Sequence, residues 1–178
     1  MKNLLTTLVF AFYTMVSYGQ NALVPDFKNQ PMYLSDGKLN KLEKQTVENK
    51  AKAKALGLGG ASSFILLLGE NSPVVLSSTP TFYIKVAEDV DPETVLFLRK
   101  VSKANRNGRE VEMMRVSAFA AYGAKGKSVK KEDAALGFTK VSDGVYSFTP
   151  IQPLESGEYA FLNPNSTEQS LVFAFGVR

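Results

Sequence analysis

The chain of 178 residues contains no cysteine, no histidine and no tryptophan. Without cysteine, no disulfide can stabilise it. Without histidine, neither a Ser–His nor a Cys–His nucleophile can be built, and the usual zinc, copper and haem sites lack their imidazole or thiolate ligands. The side chains that remain for chemistry are carboxylates, lysines and tyrosines. We therefore expect no cofactor, and we favour a binding or structural role over catalysis.

The excess of basic residues is small. Lys and Arg number 21 against 17 Asp and Glu, which gives a formal net charge of +4. An excess of this size suits an ordinary protein surface, so it does not predict a nucleic-acid partner. The length suits one domain whose core is large enough to fold without disulfides or metal.

The first residues have the pattern of a secretory signal peptide. Lys2 precedes an apolar run from Leu4 to Val16, and the small residues Ser17 and Gly19 follow two positions apart. We predict cleavage after Gly19, so that residues 1–19 are the signal peptide. The apolar run is shorter than the ~20 residues that span a bilayer. We therefore expect no transmembrane span after cleavage, and a periplasmic or extracellular location.

Short apolar or alternating runs occupy most of the chain after residue 60, separated by glycine, asparagine, aspartate and proline. This spacing is typical of an all-β sandwich, and we assign residues 60–178 to that domain. Residues 20–59 are interpreted as an N-terminal tether, a hairpin and a Lys/Ala-rich segment. The predicted strands cover residues 32–34, 38–42, 64–68, 73–76, 81–86, 95–101, 109–116, 136–141, 145–148, 159–162 and 171–177.

Three dipeptides predict hairpin turns, because their residues tolerate the positive φ that such turns require. Asp-Gly occurs at residues 36–37 and again at 143–144, each time between predicted strands. Asn-Gly occurs at residues 107–108, and this turn predicts a hairpin between residues 95–101 and 109–116.

Residues 43–56 give conflicting signals. The Lys-Ala repeat within them alternates like a strand. However, alanine, lysine, glutamate and glutamine are strong helix formers and weak strand formers. We favour a short helix or an irregular crossing here.

Residues 145–162 hold two alternating runs around a proline-rich connection that ends in Leu154-x-x-Gly157-x-Tyr159. This pattern resembles the tyrosine corner of immunoglobulin-like and fibronectin-like sandwiches, in which the tyrosine hydroxyl bonds to the backbone of the preceding turn. The resemblance implies an immunoglobulin-like sandwich with the N-terminal hairpin as an extension, in a small exported bacterial protein. The antibody-type cysteine pair and tryptophan are missing, so the likeness implies the general sandwich and no activity.

Asp89, Asp91 and Glu93 alternate in an acidic loop and are candidate ligands for a hard cation such as calcium. An EF-hand starting at Asp89 would need glycine and glutamate where the chain has Thr94 and Lys100. We favour a solvated turn fixed by the proline within it. The alternative function that follows from these acids is a metal-assisted or carboxylate-dependent hydrolase.

Seven lysines would form an anion-binding patch if their two segments met in space, although scattered solvated lysines are the favoured interpretation. They are Lys50, Lys52, Lys54, Lys125, Lys127, Lys130 and Lys131. Because function on sandwich folds sits mostly in loops and exposed edges, we expect a non-enzymatic module for binding or structural interaction at the cell envelope. Its partner would be an envelope protein or a surface polysaccharide.

Overall fold

The computed structural model describes residues 23–53, 61–116, 133–163 and 169–178. The predicted signal peptide lies outside these residues. The described part of the chain is all-β, as the sequence predicts, with one 3-10 turn at Pro92–Thr94 and no α-helix. The strands are β1 (Met32–Ser35), β2 (Lys38–Lys41), β3 (Glu43–Ala53), β4 (Ala61–Leu67), β5 (Val75–Leu76), β6 (Phe82–Lys85), β7 (Phe97–Lys100), β8 (Lys103–Asn105), β9 (Gly108–Val116), β10 (Leu136–Ser142), β11 (Val145–Pro150), β12 (Gly157–Leu162) and β13 (Gln169–Val177).

The described strands form two sheets. The small sheet has the order β10-β11-β6-β1-β2. The large sheet has the order β7-β12-β13-β3-β4-β9-β8, and β5 pairs in parallel with the end of β13. Every other strand pairing is antiparallel. This arrangement of antiparallel sheets is compatible with a β-sandwich.

The large sheet curls, because its two edge strands are consecutive in the chain. Only Val101 and Ser102 separate β7 from β8. The Val101 N–H donates to Glu158 O on one side, and the Ser102 N–H donates to Glu110 O on the other, each at 2.8 Å. The chain therefore passes from one edge of the sheet to the other, and the inner surface of the curl is enclosed.

Two clusters of apolar side chains form the core. Between the sheets, the ring centroid of Phe82 lies 4.9 Å from that of Phe161 and 5.3 Å from that of Phe175. Such aromatic pairs each add about 0.5–1.5 kcal/mol beyond the burial of their area. Inside the curl, smaller side chains such as Ala160 and Leu162 pack together. Strand β12 is thus buried on both faces, which explains its nearly unbroken apolar sequence.

The N-terminal hairpin prediction is confirmed. Strands β1 and β2 pair around a turn in which Asp36 and Gly37 have φ of 52° and 72°. The hairpin extends the small sheet, since β1 also pairs with β6. The hairpin of β10 and β11 is present as well, and Gly144 in its turn has a φ of 67°.

The prediction of a helix or irregular crossing at residues 43–56 was wrong over the described part. Residues 43–53 form the long strand β3, which pairs with β13 on one side and β4 on the other. The helix propensity of Lys and Ala is overridden because two neighbouring strands supply partners for the backbone. The described part of residues 20–59 therefore contributes strands to both sheets.

The Asn-Gly turn at residues 107–108 joins different strands from those predicted. Strand β9 pairs with β8 across this turn and with β4 on its other side, whereas β7 pairs with β12. The prediction of residues 95–101 as the partner of 109–116 was therefore wrong. It failed because the chain changes partner at Val101 and Ser102, which lie inside an otherwise continuous extended run.

Candidate functional site

The tyrosine corner has the hydrogen bond that the sequence pattern predicts. The Tyr159 hydroxyl donates to Glu155 O at 2.9 Å, and the side chain is buried. Leu154 is also buried, and its N–H donates to Ser78 O at 2.7 Å. Gly157 has a φ of 150°, a conformation that favours glycine. The corner therefore fixes where β12 enters the core.

A recess of about 470 Å³ lies beside the corner and includes Lys100, Asp133 and Glu155 in its lining. Lys100 Nζ donates to Glu155 Oε2 at 2.7 Å. This bond raises the pKa of Lys100 and lowers the pKa of Glu155. Burial raises the pKa of Tyr159. Because the Lys100–Glu155 pair faces solvent, it contributes little to stability.

Arg109 is fully buried at one end of the curl. Its guanidinium donates to Glu43 Oε2 at 2.9 Å and to Glu158 Oε2 at 3.3 Å. It also donates to the carbonyl oxygens of Leu68 and Gly69, at 2.9 and 3.2 Å. The sequence patterns did not predict this group. A charged residue at an inward position of an alternating strand was its only signal.

The two glutamates are held by further partners. Glu158 Oε1 accepts from Arg178 at 2.8 Å, and Glu158 Oε2 accepts from the Ser72 N–H at 2.8 Å. Burial alone would raise the pKa of Glu43. The hydrogen bonds that the carboxylate accepts, the one from Arg109 above all, have the larger effect and hold this pKa below its ordinary value of 4.5. The network therefore neutralises its own buried charge.

A second buried arginine, Arg99, links two strands of the curled sheet that are not neighbours. Arg99 donates to Asp133 Oδ1 at 2.7 Å and to the carbonyl oxygens of Glu112 and Met113 at 2.7 and 3.1 Å. Its guanidinium also lies 4.7 Å from the ring centroid of Phe97. Because Glu112 and Met113 belong to β9, Arg99 ties β7 to the strand next to the opposite edge of the same sheet. Within the described ranges, every buried side-chain nitrogen and oxygen atom has a hydrogen-bond partner.

The three acids predicted as cation ligands all lie on the surface. Asp91 Oδ1 accepts from the Glu93 N–H at 3.0 Å and caps the 3-10 turn at Pro92–Thr94. This is the proline-fixed turn that the sequence favours. Among the residues that the structure describes, no group of three or more acidic side chains is arranged to hold a metal ion.

The same acidic loop forms one wall of a cleft of about 430 Å³. The other wall consists of Phe138 on β10 and Tyr146 on β11. Phe138 is half-buried and stacks on Phe148 at a centroid distance of 4.8 Å. The structure therefore joins the predicted acidic residues to two aromatic rings that the sequence analysis did not connect with them. We take this cleft and the adjoining edge of β10 as the candidate binding site.

The predicted lysine patch is mostly outside the described residues. Lys50 is exposed on β3, and Lys52 lies two residues further along the same strand. Lys54 and the four lysines at residues 125–131 are not in the described ranges. The anion-binding hypothesis stays a prediction.

No protein-family profile, no curated protein and no solved structure matches this chain. Among the residues that the structure describes, no helical stretch has the length and apolarity needed to traverse a bilayer.

Proposed function

We propose that the mature protein, residues 20–178, is an exported and non-enzymatic β-sandwich module that binds an envelope protein or a surface polysaccharide. The observation that carries the proposal is the open cleft between the acidic loop and the rings of Phe138 and Tyr146. Half-buried aromatic rings beside carboxylates suit recognition of a polymer, because they offer apolar contact and hydrogen-bond acceptors together. Export is supported by the signal-peptide pattern of residues 1–19.

The two buried arginines do not offer a second candidate site. Arg99 and Arg109 both donate to carboxylates and to backbone carbonyl groups, so their donors are used inside the fold. The surface cleft is thus the better candidate for function. We also propose an immunoglobulin-like relationship, supported by the Tyr159 corner and the packed antiparallel sheets.

Co-sedimentation of the purified mature protein with isolated cell envelopes tests the proposal. We expect binding that a chelator does not change. We expect Tyr146→Ala to weaken it, since Tyr146 lines the cleft. Tyr83→Ala is the matched control, because the register pairs Tyr146 with Ile84 and leaves Tyr83 on the opposite face of the small sheet. If no more of the purified protein sediments with the envelopes than sediments without them, the proposal is contradicted.

The hydrolase alternative at Asp89, Asp91 and Glu93 makes different predictions. It requires a turnover that Asp91→Asn abolishes. It also requires stabilisation by calcium, of about 2.7 kcal/mol at a hundredfold excess over the dissociation constant. A binding module shows neither effect.

A further inference from the structure

Strand β10 is an edge of the small sheet, and among the described strands it pairs with β11 alone. Two residues before β10, the Ala134 N–H donates to Leu98 O of β7 at 2.9 Å, so the unpaired part of this edge begins at Leu136. The Ile151 N–H donates to Ala135 O at 2.9 Å, which marks these residues as a hydrogen-bonded pair. Because antiparallel pairs alternate, Gly137 and Thr139 also bond to β11. The N–H and C=O groups of the intervening residues therefore face outward from the sheet. They belong to Leu136, Phe138 and Lys140.

The open edge adjoins a surface on which acidic residues outnumber basic ones. The register pairs Phe138 with Phe148 and Lys140 with Tyr146, so these four side chains share one face of the sheet, and Phe138 and Tyr146 on that face line the cleft with the acidic loop. Lys140 is a basic residue on the same face, but four acids line the cleft itself. They are Glu88, Asp89, Asp91 and Glu93. This local charge is opposite in sign to the net charge of +4 of the whole chain.

We propose that β10 accepts an extended segment of a partner polypeptide as an added strand, with lysine or arginine at every second position. Successive side chains of a strand point to opposite faces, so one alternate set enters the cleft beside Phe138 and Tyr146. Basic side chains there meet the carboxylates of the loop and lie against the aromatic rings. This inference rests on the proposed binding function and names the partner as a basic polypeptide.

Charge argues against a second copy of this chain as the occupant. Two β10 strands paired antiparallel in a continuous sheet would lie about a two-fold axis. Both acidic loops would then be on the same face and close to the shared edge. Like charges placed opposite one another disfavour such an interface. A basic segment has no such penalty.

Synthetic peptides of about nine residues, a usual strand length, serve as probes. The first alternates lysine with threonine and valine. The second replaces each lysine with glutamate, and the third carries N-methyl groups on alternate backbone nitrogens, which removes strand hydrogen bonds but keeps the charge. Fluorescence anisotropy should show binding of the first peptide to the mature protein. The acidic peptide should not bind, and the methylated peptide should bind about tenfold more weakly, a difference of about 1.4 kcal/mol.

Position 140 provides a matched pair of protein variants. Lys140→Pro removes a backbone donor that faces the open edge, a place where sheets tolerate proline. Lys140→Ala removes the same side chain and its exposed 2.8 Å ion pair with Asp143, but it keeps the donor. Because Lys140 carries a positive charge on the face that receives the peptide, we expect Lys140→Ala to strengthen binding of the lysine peptide. We expect Lys140→Pro to bind that peptide about tenfold more weakly than Lys140→Ala. Urea midpoints equal to that of the wild type would show that both variants keep the fold.

Several outcomes would overturn the inference. Equal binding of the plain and methylated peptides would mean that charge alone attracts them. Slow amide exchange at Leu136, Phe138 and Lys140 in the free monomer would mean that the edge is already paired. Self-association that Lys140→Pro abolishes would identify a second copy as the occupant. Binding to envelopes without binding to any peptide would refute this inference and leave the proposed function standing.

Discussion

Replacing Arg109 with methionine tests whether the buried network holds the curled sheet together. Methionine has a similar length but no charge, so Glu43 and Glu158 lose the guanidinium that now lies within 3.3 Å of both. The carbonyl groups of Leu68 and Gly69 lose a donor as well. Removing one partner of a buried ion pair costs about 3–5 kcal/mol, because a charge is left without compensation. A typical domain is stable by only about 5–15 kcal/mol.

Urea denaturation followed by circular dichroism measures this loss. With a slope of about 2 kcal/mol per molar urea, the midpoint should fall by about 2 M. The matched control is Arg106→Met on the exposed turn before β9, which should change stability by less than about 0.5 kcal/mol. Equal midpoints for Arg109→Met and the wild type would refute the idea that this ion pair stabilises the fold.

The pH dependence provides a second test of the same network. The pKa of Glu43 lies below 4.5 in the folded wild type, so its contribution to stability is present above that pH and is lost as the pH falls through the folded value. In Arg109→Met, burial without the arginine should raise the pKa of Glu43 instead. The variant should then gain relative stability on acidification. A stability difference that does not narrow between neutral pH and pH 4.5 would contradict this mechanism.

Two further predictions concern the tyrosine corner and the signal peptide. Tyr159→Phe should cost about 1–3 kcal/mol in urea melts, because the phenyl ring keeps its packing but leaves Glu155 O without its donor. Gly157→Val should also destabilise, since valine disfavours a φ of 150°. An unchanged Tyr159→Phe midpoint would mean that this bond does not stabilise the corner. Mass spectrometry of the exported protein should find Gln20 at its N-terminus, and an intact Met1 in the membrane fraction would contradict the signal prediction.

The hairpins were predictable because their signals are local. The Asp-Gly pairs at residues 36–37 and 143–144 require only a short turn between two strands, and positive φ is observed at Gly37 and Gly144. The Tyr159 corner was predictable for the same reason, since its hydrogen bond spans four residues. Where a short sequence decides the backbone geometry, the pattern is enough to predict it.

Strand β3 and the partners of β7 were not predictable from local signals. Residues 43–53 have helix-forming side chains, and their conformation is decided by β13 and β4, which lie far away in the sequence. The Arg109 network has the same origin, because Arg109 is 66 residues from Glu43 and 49 from Glu158. Nothing in the spacing of such residues indicates that they meet.

The candidate site depends both on local sequence signals and on long-range strand pairing. Asp89, Asp91 and Glu93 are conspicuous in the sequence, and considered alone they suggest a metal ion. The sheet register changes that interpretation, because pairing of Tyr146 with Ile84 brings β11 and then β10 alongside the loop that follows β6. Carboxylates spread over an exposed turn meet the geometric demands of a cation poorly. The same carboxylates beside aromatic rings and an open strand edge suit the side chains of a basic polypeptide, for which spacing along a strand matters more than convergence on one point.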